Sequence, residues 1–317
     1  MTAGAALRAR IEQELAQPVS PGAHAVVERL RERFGPAVRG VLFYGSCLRR
    51  GDDHEGVLDL YVLVDDYGSA YDSRPLAVLN RLLPPNVFYL ETQAVERVVR
   101  AKYAVLAQRD LTRLTSTRTF EPYFWVRFSQ PCALVYAADE SVRREVAAAL
   151  ASAVLTTVAR AIPLVAPRFS SRELWLATWR TTYRGELRAE RPGVVEMLWA
   201  NAPERYEAVT RLALEALGHS LETDAETSDL RCTVELSGAA RRRARGLWRI
   251  RHAHGKMLFL LRILRNALIF EGGVDYVLWK IQRHSGVEVD RTWRQRRYPL
   301  LALGAQAWRL YRARAFH

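Results

Sequence analysis

Tyr44-Gly45-Ser46 and Asp59 are the residues whose types and spacing could do chemistry together. A short apolar run, Val41–Tyr44, enters a Gly-Ser turn. A glycine there lets backbone N–H groups come close to a phosphate, and the Ser46 hydroxyl adds a donor. After a gap of twelve residues, Asp59 falls inside a second apolar run, Val57–Val64. A carboxylate in such a run is costly unless it is paired or bound to a metal. Held beside the turn, it can carry Mg²⁺ against a triphosphate while pyrophosphate leaves. In such a reaction positioning and electrostatics do most of the work.

The pattern Phe43-Tyr44-Gly45-Ser46, then Asp59-Leu60-Tyr61, resembles the polymerase-beta-like nucleotidyltransferase superfamily. Tyr61 departs from it, because the superfamily has a second carboxylate at that place. Asp65, Asp66 and Glu91 are the nearest replacements, and Asp59, Glu91 and Asp65 form the expected metal set. Longer segments narrow the resemblance to the mitochondrial-type phosphatidate cytidylyltransferases, the translocator assembly and maintenance family. They are Val57 to Asp66, Lys102-Tyr103-Ala104-Val105, Pro167 to Leu174, and Thr182 to Arg188, in that order between about residues 40 and 210. Two features depart from that family. The histidine-rich tract after the second strand is missing, and Tyr89-Leu90 stands in place of a His-Tyr-Ser type segment.

The resemblance implies a cytidylyl transfer from CTP to phosphatidic acid, with Mg²⁺, giving CDP-diacylglycerol and pyrophosphate. Asp59, Ser46 and Lys102 would be its catalytic residues. Tyr44, Gly45, Ser46 and Lys102 would bind the nucleotide, with Arg184 and Arg188. The last two lie four apart on one probable helix face and could clamp a phosphate. Two other readings stay open. One is a nucleotidyltransferase acting on RNA or on a small hydroxylated acceptor; the other is a non-catalytic nucleotide-binding homologue, which Tyr61 favours.

The elements that must position these residues are expected to form an α/β (α+β) chain. A nucleotidyltransferase domain with a mixed sheet spans 1–136. A helical, possibly winged-helix, domain spans 137–240, and a basic amphipathic segment spans 241–317. Strands are expected at Val41–Tyr44, Val57–Val64 and Val87–Leu90, and over 124–136. Helices are expected over 3–35 with a break near Pro18–Pro21, and over 76–83, 95–114, 141–162, 171–190, 203–217 and 241–270. A linker or irregular connection fills 218–240, and two short helices follow at 274–284 and 299–315.

The chain of 317 residues carries a net charge of +13. Residues 241–317 hold 18 Lys/Arg against 4 Asp/Glu, so this quarter carries the whole excess. Such a block suits an anionic partner, either a membrane surface or RNA. Arginines beside aromatics favour the lipid interface, and Arg249, Arg251, Arg262, Arg265 and Trp308 are the expected membrane contacts. Ala147–Pro167 comes closest to a membrane span, but Arg160 and Pro163 interrupt it. Cys47, Cys132 and Cys232 have no zinc-site spacing and read as reduced thiols. No apolar leader core begins the chain. The expected location is cytoplasmic, peripheral on the inner face of the cell membrane.

Overall fold

The computed structural model describes residues 2–51, 56–94, 97–183, 193–219, 221–223 and 230–269. Two helices, α1 (Ala3–Leu15) and α2 (Pro21–Phe34), precede a five-stranded mixed sheet. Ser20 caps α2 and Pro21 supplies a preset first position, which explains the break between the two helices. The strands are β1 (Val38–Tyr44), β2 (Leu58–Val64), β3 (Asn86–Ala94), β4 (Arg97–Ala107) and β5 (Cys132–Ala137). Their order is β3-β4-β2-β1-β5, with β2 and β4 parallel and the other pairs antiparallel. In β1, β2 and β4 apolar residues point to both faces, as strands covered on both sides require. One face packs Val41, Phe43, Leu60 and Val62 against Val26, Val27 and Leu30 of α2.

Short helices occupy the connections: α3 (Ser46–Arg50), α4 (Tyr67–Ala70), α5 (Arg74–Leu82), α6 (Gln108–Thr115) and α7 (Pro122–Phe128). The second face of the sheet, through Leu42, Tyr61, Leu63 and Leu106, meets α1, α7 and the long α8 (Glu140–Ala161). Asp139 caps α8, its Oδ1 accepting from the Val142 N–H at 3.0 Å. By length and composition α8 could cross a bilayer, but most of its apolar stretch is buried in this core.

Beyond α8 come β6 (Arg168–Ser170), α9 (Ser171–Tyr183), α10 (Val194–Ala200), α11 (Pro203–Ala216), β7 (Leu221–Thr223) and β8 (Leu230–Thr233). These three strands pair in the order β6-β8-β7. Helix, strand, helices, then a hairpin whose last strand lies beside the first is the winged-helix connectivity. A reciprocal capping box opens α9: Ser170 Oγ accepts from the Glu173 N–H, and Glu173 Oε2 accepts from the Ser170 N–H. This gives the Pro167–Leu174 segment a structural role. One continuous apolar cluster joins the sheet to α1, α8, α9 and α11, so packing passes across residue 136 without a break. The chain closes its described part with α12 (Gly238–Ile269), 32 residues and about 48 Å long.

Three segments differ from the sequence expectation. Residues 97–107 form a strand, because Val99, Tyr103 and Val105 suit a slot hydrogen-bonded on both sides, which their alanine and arginine neighbours masked. The aromatic run after Glu121 forms helix α7, with Pro122 in its first turn, and only Cys132–Ala137 is extended. Residues 218–240 contain the β7–β8 hairpin. The helices expected at 274–284 and 299–315 lie outside the described residues.

Candidate functional site

Strand register assembles the site. Tyr44 of β1 lies opposite Asp59 of β2, and Asp59 lies opposite Lys102 of β4. Paired residues share a sheet face, so the three side chains form a row. Lys102 Nζ reaches Asp59 Oδ1 at 2.9 Å. Gly45 ends β1 at φ +91°, and a Cβ there would meet Asp59 Oδ2 at 2.7 Å. Only glycine lets the chain turn so close to the carboxylate. α3 then starts at the exposed Ser46, and the N–H groups of its first turn lack partners within the helix.

A cleft of about 210 Å³ opens here, between the sheet end and the helical half. Tyr44, Gly45, Ser46 and Asp59 form one wall. α7 adds Tyr123, Val126 and Arg127; the end of α9 adds Thr182 and Tyr183; α10 adds Val194 and Leu198. Two cations line it, Arg49 from α3 and Arg127 from α7. Arg127 Nη1 donates to the Tyr44 hydroxyl at 3.3 Å, and its guanidinium lies over the rings of Tyr123 (4.7 Å) and Tyr44 (5.5 Å). Burial pushes the Tyr44 hydroxyl up to about 12, against the pull of Arg127.

The sequence expectation named Lys102 and missed Arg49, Arg127 and Tyr123. Arg49 follows Ser46 by three positions, a same-face spacing that a helical reading of this turn would have caught. Arg127 was hidden because its segment was read as a strand. Lys102 pairs with Asp59 without lining the cleft. Arg184 and Arg188 lie outside the described residues.

The expected metal set does not come together. Asp65 follows the far end of β2, six residues and about 20 Å from Asp59. Glu91 is exposed on the edge strand and accepts from the Tyr89 hydroxyl (2.6 Å) and Arg100 Nε (3.2 Å). It stands two strands from Asp59 and two residues off its register, roughly 12 Å away. Tyr61, at the place of the second carboxylate, is 0 % exposed and packs against Tyr44 (5.3 Å) and Phe128 (4.8 Å). Among the described residues no three His, Cys, Asp or Glu side chains cluster. The described donors therefore do not fit a two-metal centre. Asp59 alone fits one Mg²⁺, which commonly takes one carboxylate and completes its shell from phosphates and water.

Three of the expected membrane contacts are inside the protein. Arg251, Arg262 and Arg265 are 3 %, 7 % and 5 % exposed. Arg251 Nε donates to the Phe120 carbonyl at 3.1 Å, and Arg265 to the carbonyls of Leu83 and Pro85. Arg262 donates to the Pro84 carbonyl and pairs twice with Glu121. Burial lowers Arg251 and Arg265 to about 10, so both remain charged at neutral pH. They sit on the inner face of α12, where carbonyls accept from guanidinium groups and apolar neighbours cover the stems. Arg241 and Trp248 likewise donate to the carbonyls of Val165 and Arg160. Arg249 is exposed, and Trp308 lies outside the described residues. The outer face of α12 presents Leu247, Ile250, Met257, Leu260 and Leu261 beside Arg242, Arg249 and Lys256.

No protein-family model and no curated protein matches the sequence. Among solved structures, the chain is similar to a nucleotidyltransferase-like protein from Exiguobacterium sibiricum at 10 % identity, covering 86 % of this chain and 82 % of that one, with a TM-score of 0.29. At that score the two backbones share too little of their course for one to speak for the other.

Proposed function

We propose that the chain transfers a cytidylyl group from CTP to the phosphate of phosphatidic acid at an anionic membrane surface on the cytoplasmic side, releasing pyrophosphate. The observation behind it is the row of Tyr44, Asp59 and Lys102 under the Gly45 turn, whose first two members line a cleft with two arginines. Nucleotidyl transfer is the chemistry this row suits. The choice of cytidine and of phosphatidic acid rests on the segments that resemble the phosphatidate cytidylyltransferases.

In this reading the triphosphate lies against the open N–H groups of α3 and the Ser46 hydroxyl. Lys102 orients Asp59 and balances its charge. Asp59 would hold Mg²⁺, which would neutralise charge on the phosphates. Arg49 and Arg127 hold anionic groups in the cleft. An acceptor phosphate oxygen attacks the α-phosphorus, and the bond to pyrophosphate breaks. A phosphate monoester is already a nucleophile near neutral pH, so the step needs no general base. The outer face of α12 supports a peripheral membrane role, since its apolar stripe could enter the interface while its cations meet headgroups. An RNA acceptor has less behind it. The exposed face of α11, the last helix of the winged-helix half, carries Glu204 and Glu215 against Arg211. A binding-only site has one observation in its favour, the single carboxylate already engaged by Lys102.

Pyrophosphate release from CTP and Mg²⁺ on vesicles with and without phosphatidic acid tests the reading. Release is expected only with both substrates. Asp59→Asn should lower it by about a hundredfold or more while the circular dichroism spectrum stays unchanged. Nucleotide binding without turnover would establish the binding-only site instead.

A further inference from the structure

Arg262 stands outside the cleft, on α12, yet every nitrogen of its guanidinium is engaged. Nη1 and Nη2 reach Glu121 Oε1 and Oε2 at 2.5 and 2.9 Å, and Nε donates to the Pro84 carbonyl at 3.0 Å. A fork held on three sides has a fixed plane. That plane lies over the Tyr123 ring, 4.4 Å from its centroid. The same ring carries the Arg127 guanidinium at 4.7 Å, and Arg127 lines the cleft and donates to Tyr44. A line of contacts thus runs from α12 through Tyr123 to the residue that faces Asp59 across the strand pair.

Fastening α12 does not by itself call for this arrangement. A buried ion pair holds a helix no better than apolar side chains of the same volume. What it adds is a fixed cation over an aromatic ring that also carries a long, rotamer-rich arginine. An arginine already set in place loses less freedom when a ligand anion arrives.

We infer that Arg262 is a positioning residue for Arg127: acting through Tyr123, it holds the Arg127 guanidinium at the cleft wall, set for an anionic group of the ligand. The identity of that group, a phosphate of CTP or of the acceptor, rests on the cytidylyl-transfer reading; the positioning does not.

The test uses the full chain labelled with ¹⁵N-arginine. The Nε–Hε resonance of Arg127 is identified by its disappearance in Arg127→Gln. In the wild type it should stand apart, displaced by the rings of Tyr123 and Tyr44. Glu121→Met combined with Arg262→Met removes the fixed cation without leaving a lone buried charge. In this double variant, with its melting transition still cooperative, the resonance should move toward those of exposed arginines. One of the two KM values, for CTP or for phosphatidic acid in vesicles, should rise about tenfold while kcat holds. Where the double variant does not fold, Arg262→Lys takes its place under the same criteria, since it keeps a charge for Glu121 but loses the planar fork. An unmoved Arg127 resonance in a folded variant overturns the inference. So does a KM rise that persists in full when Arg127→Gln is already present. If the wild type turns over no nucleotide, the transfer reading fails by itself, and the resonance still decides the positioning.

Discussion

Gly45 has no side chain because Asp59 leaves no room for one. The positive φ sets a Cβ against its own backbone and the 2.7 Å approach sets it against Asp59 Oδ2, so a methyl group there is strained in two ways. Gly45→Ala should cost about 1–3 kcal/mol in urea unfolding. It should also push the Asp59 carboxylate away from Lys102 and lower transfer far more than stability. An activity loss no larger than the stability loss implies would remove the turn from the chemistry. Of the expected site residues, Tyr44, Gly45, Ser46 and Asp59 were legible because a strand-turn-strand pattern fixes their neighbours locally; Lys102 was named only through the resemblance, on a segment expected to be helical. Arg127 was not, because its place depends on an aromatic run that periodicity could not assign to helix or strand. The metal set failed for plainer reasons: Asp65 lies six residues from Asp59, past the far end of the strand, and Glu91 lies two strands away.

At the level of elements, α12 has two faces that composition alone could not separate. Its arginines look alike in the sequence, and Arg249, Arg251, Arg262 and Arg265 all read as membrane contacts. Burial divides them: Arg251, Arg262 and Arg265 face inward, while Arg249 shares the outer face with Ile250, which is 58 % exposed. On the membrane reading, Ile250→Asp with Leu261→Asp should weaken binding to anionic vesicles about tenfold or more, by sedimentation. The melting temperature should hardly change. Undiminished vesicle binding by a folded variant would exclude this face. The strand β4 was illegible for the opposite reason. Its alanines, arginines and lysine favour a helix, and only pairing with β2 on one side and β3 on the other makes it extended.

Across the whole molecule, buried tyrosines tie both halves to one protonation state. Desolvation raises Tyr44 to about 12 and drives Tyr67, Tyr71 and Tyr206 upward as well. The unfolded chain would release these protons near the ordinary value of 10. The stability they contribute is therefore fully present below pH 10 and is lost as pH rises toward 12 and beyond. Melting temperature should hold to about pH 10 and fall steeply above it, and a flat profile to pH 12 would contradict the buried hydroxyls. α12 crosses the same two halves, and Arg241, Trp248, Arg251, Arg262 and Arg265 all donate to main-chain carbonyls along its way. A carbonyl belongs to every residue type, so no substitution at Leu83, Pro84, Phe120, Arg160 or Val165 can delete the acceptor. As sequences diverge, these carbonyl bonds by themselves leave no pairwise covariation, and only side-chain pairs such as Arg262 with Glu121 and Trp248 with Trp125 can report where the helix lies.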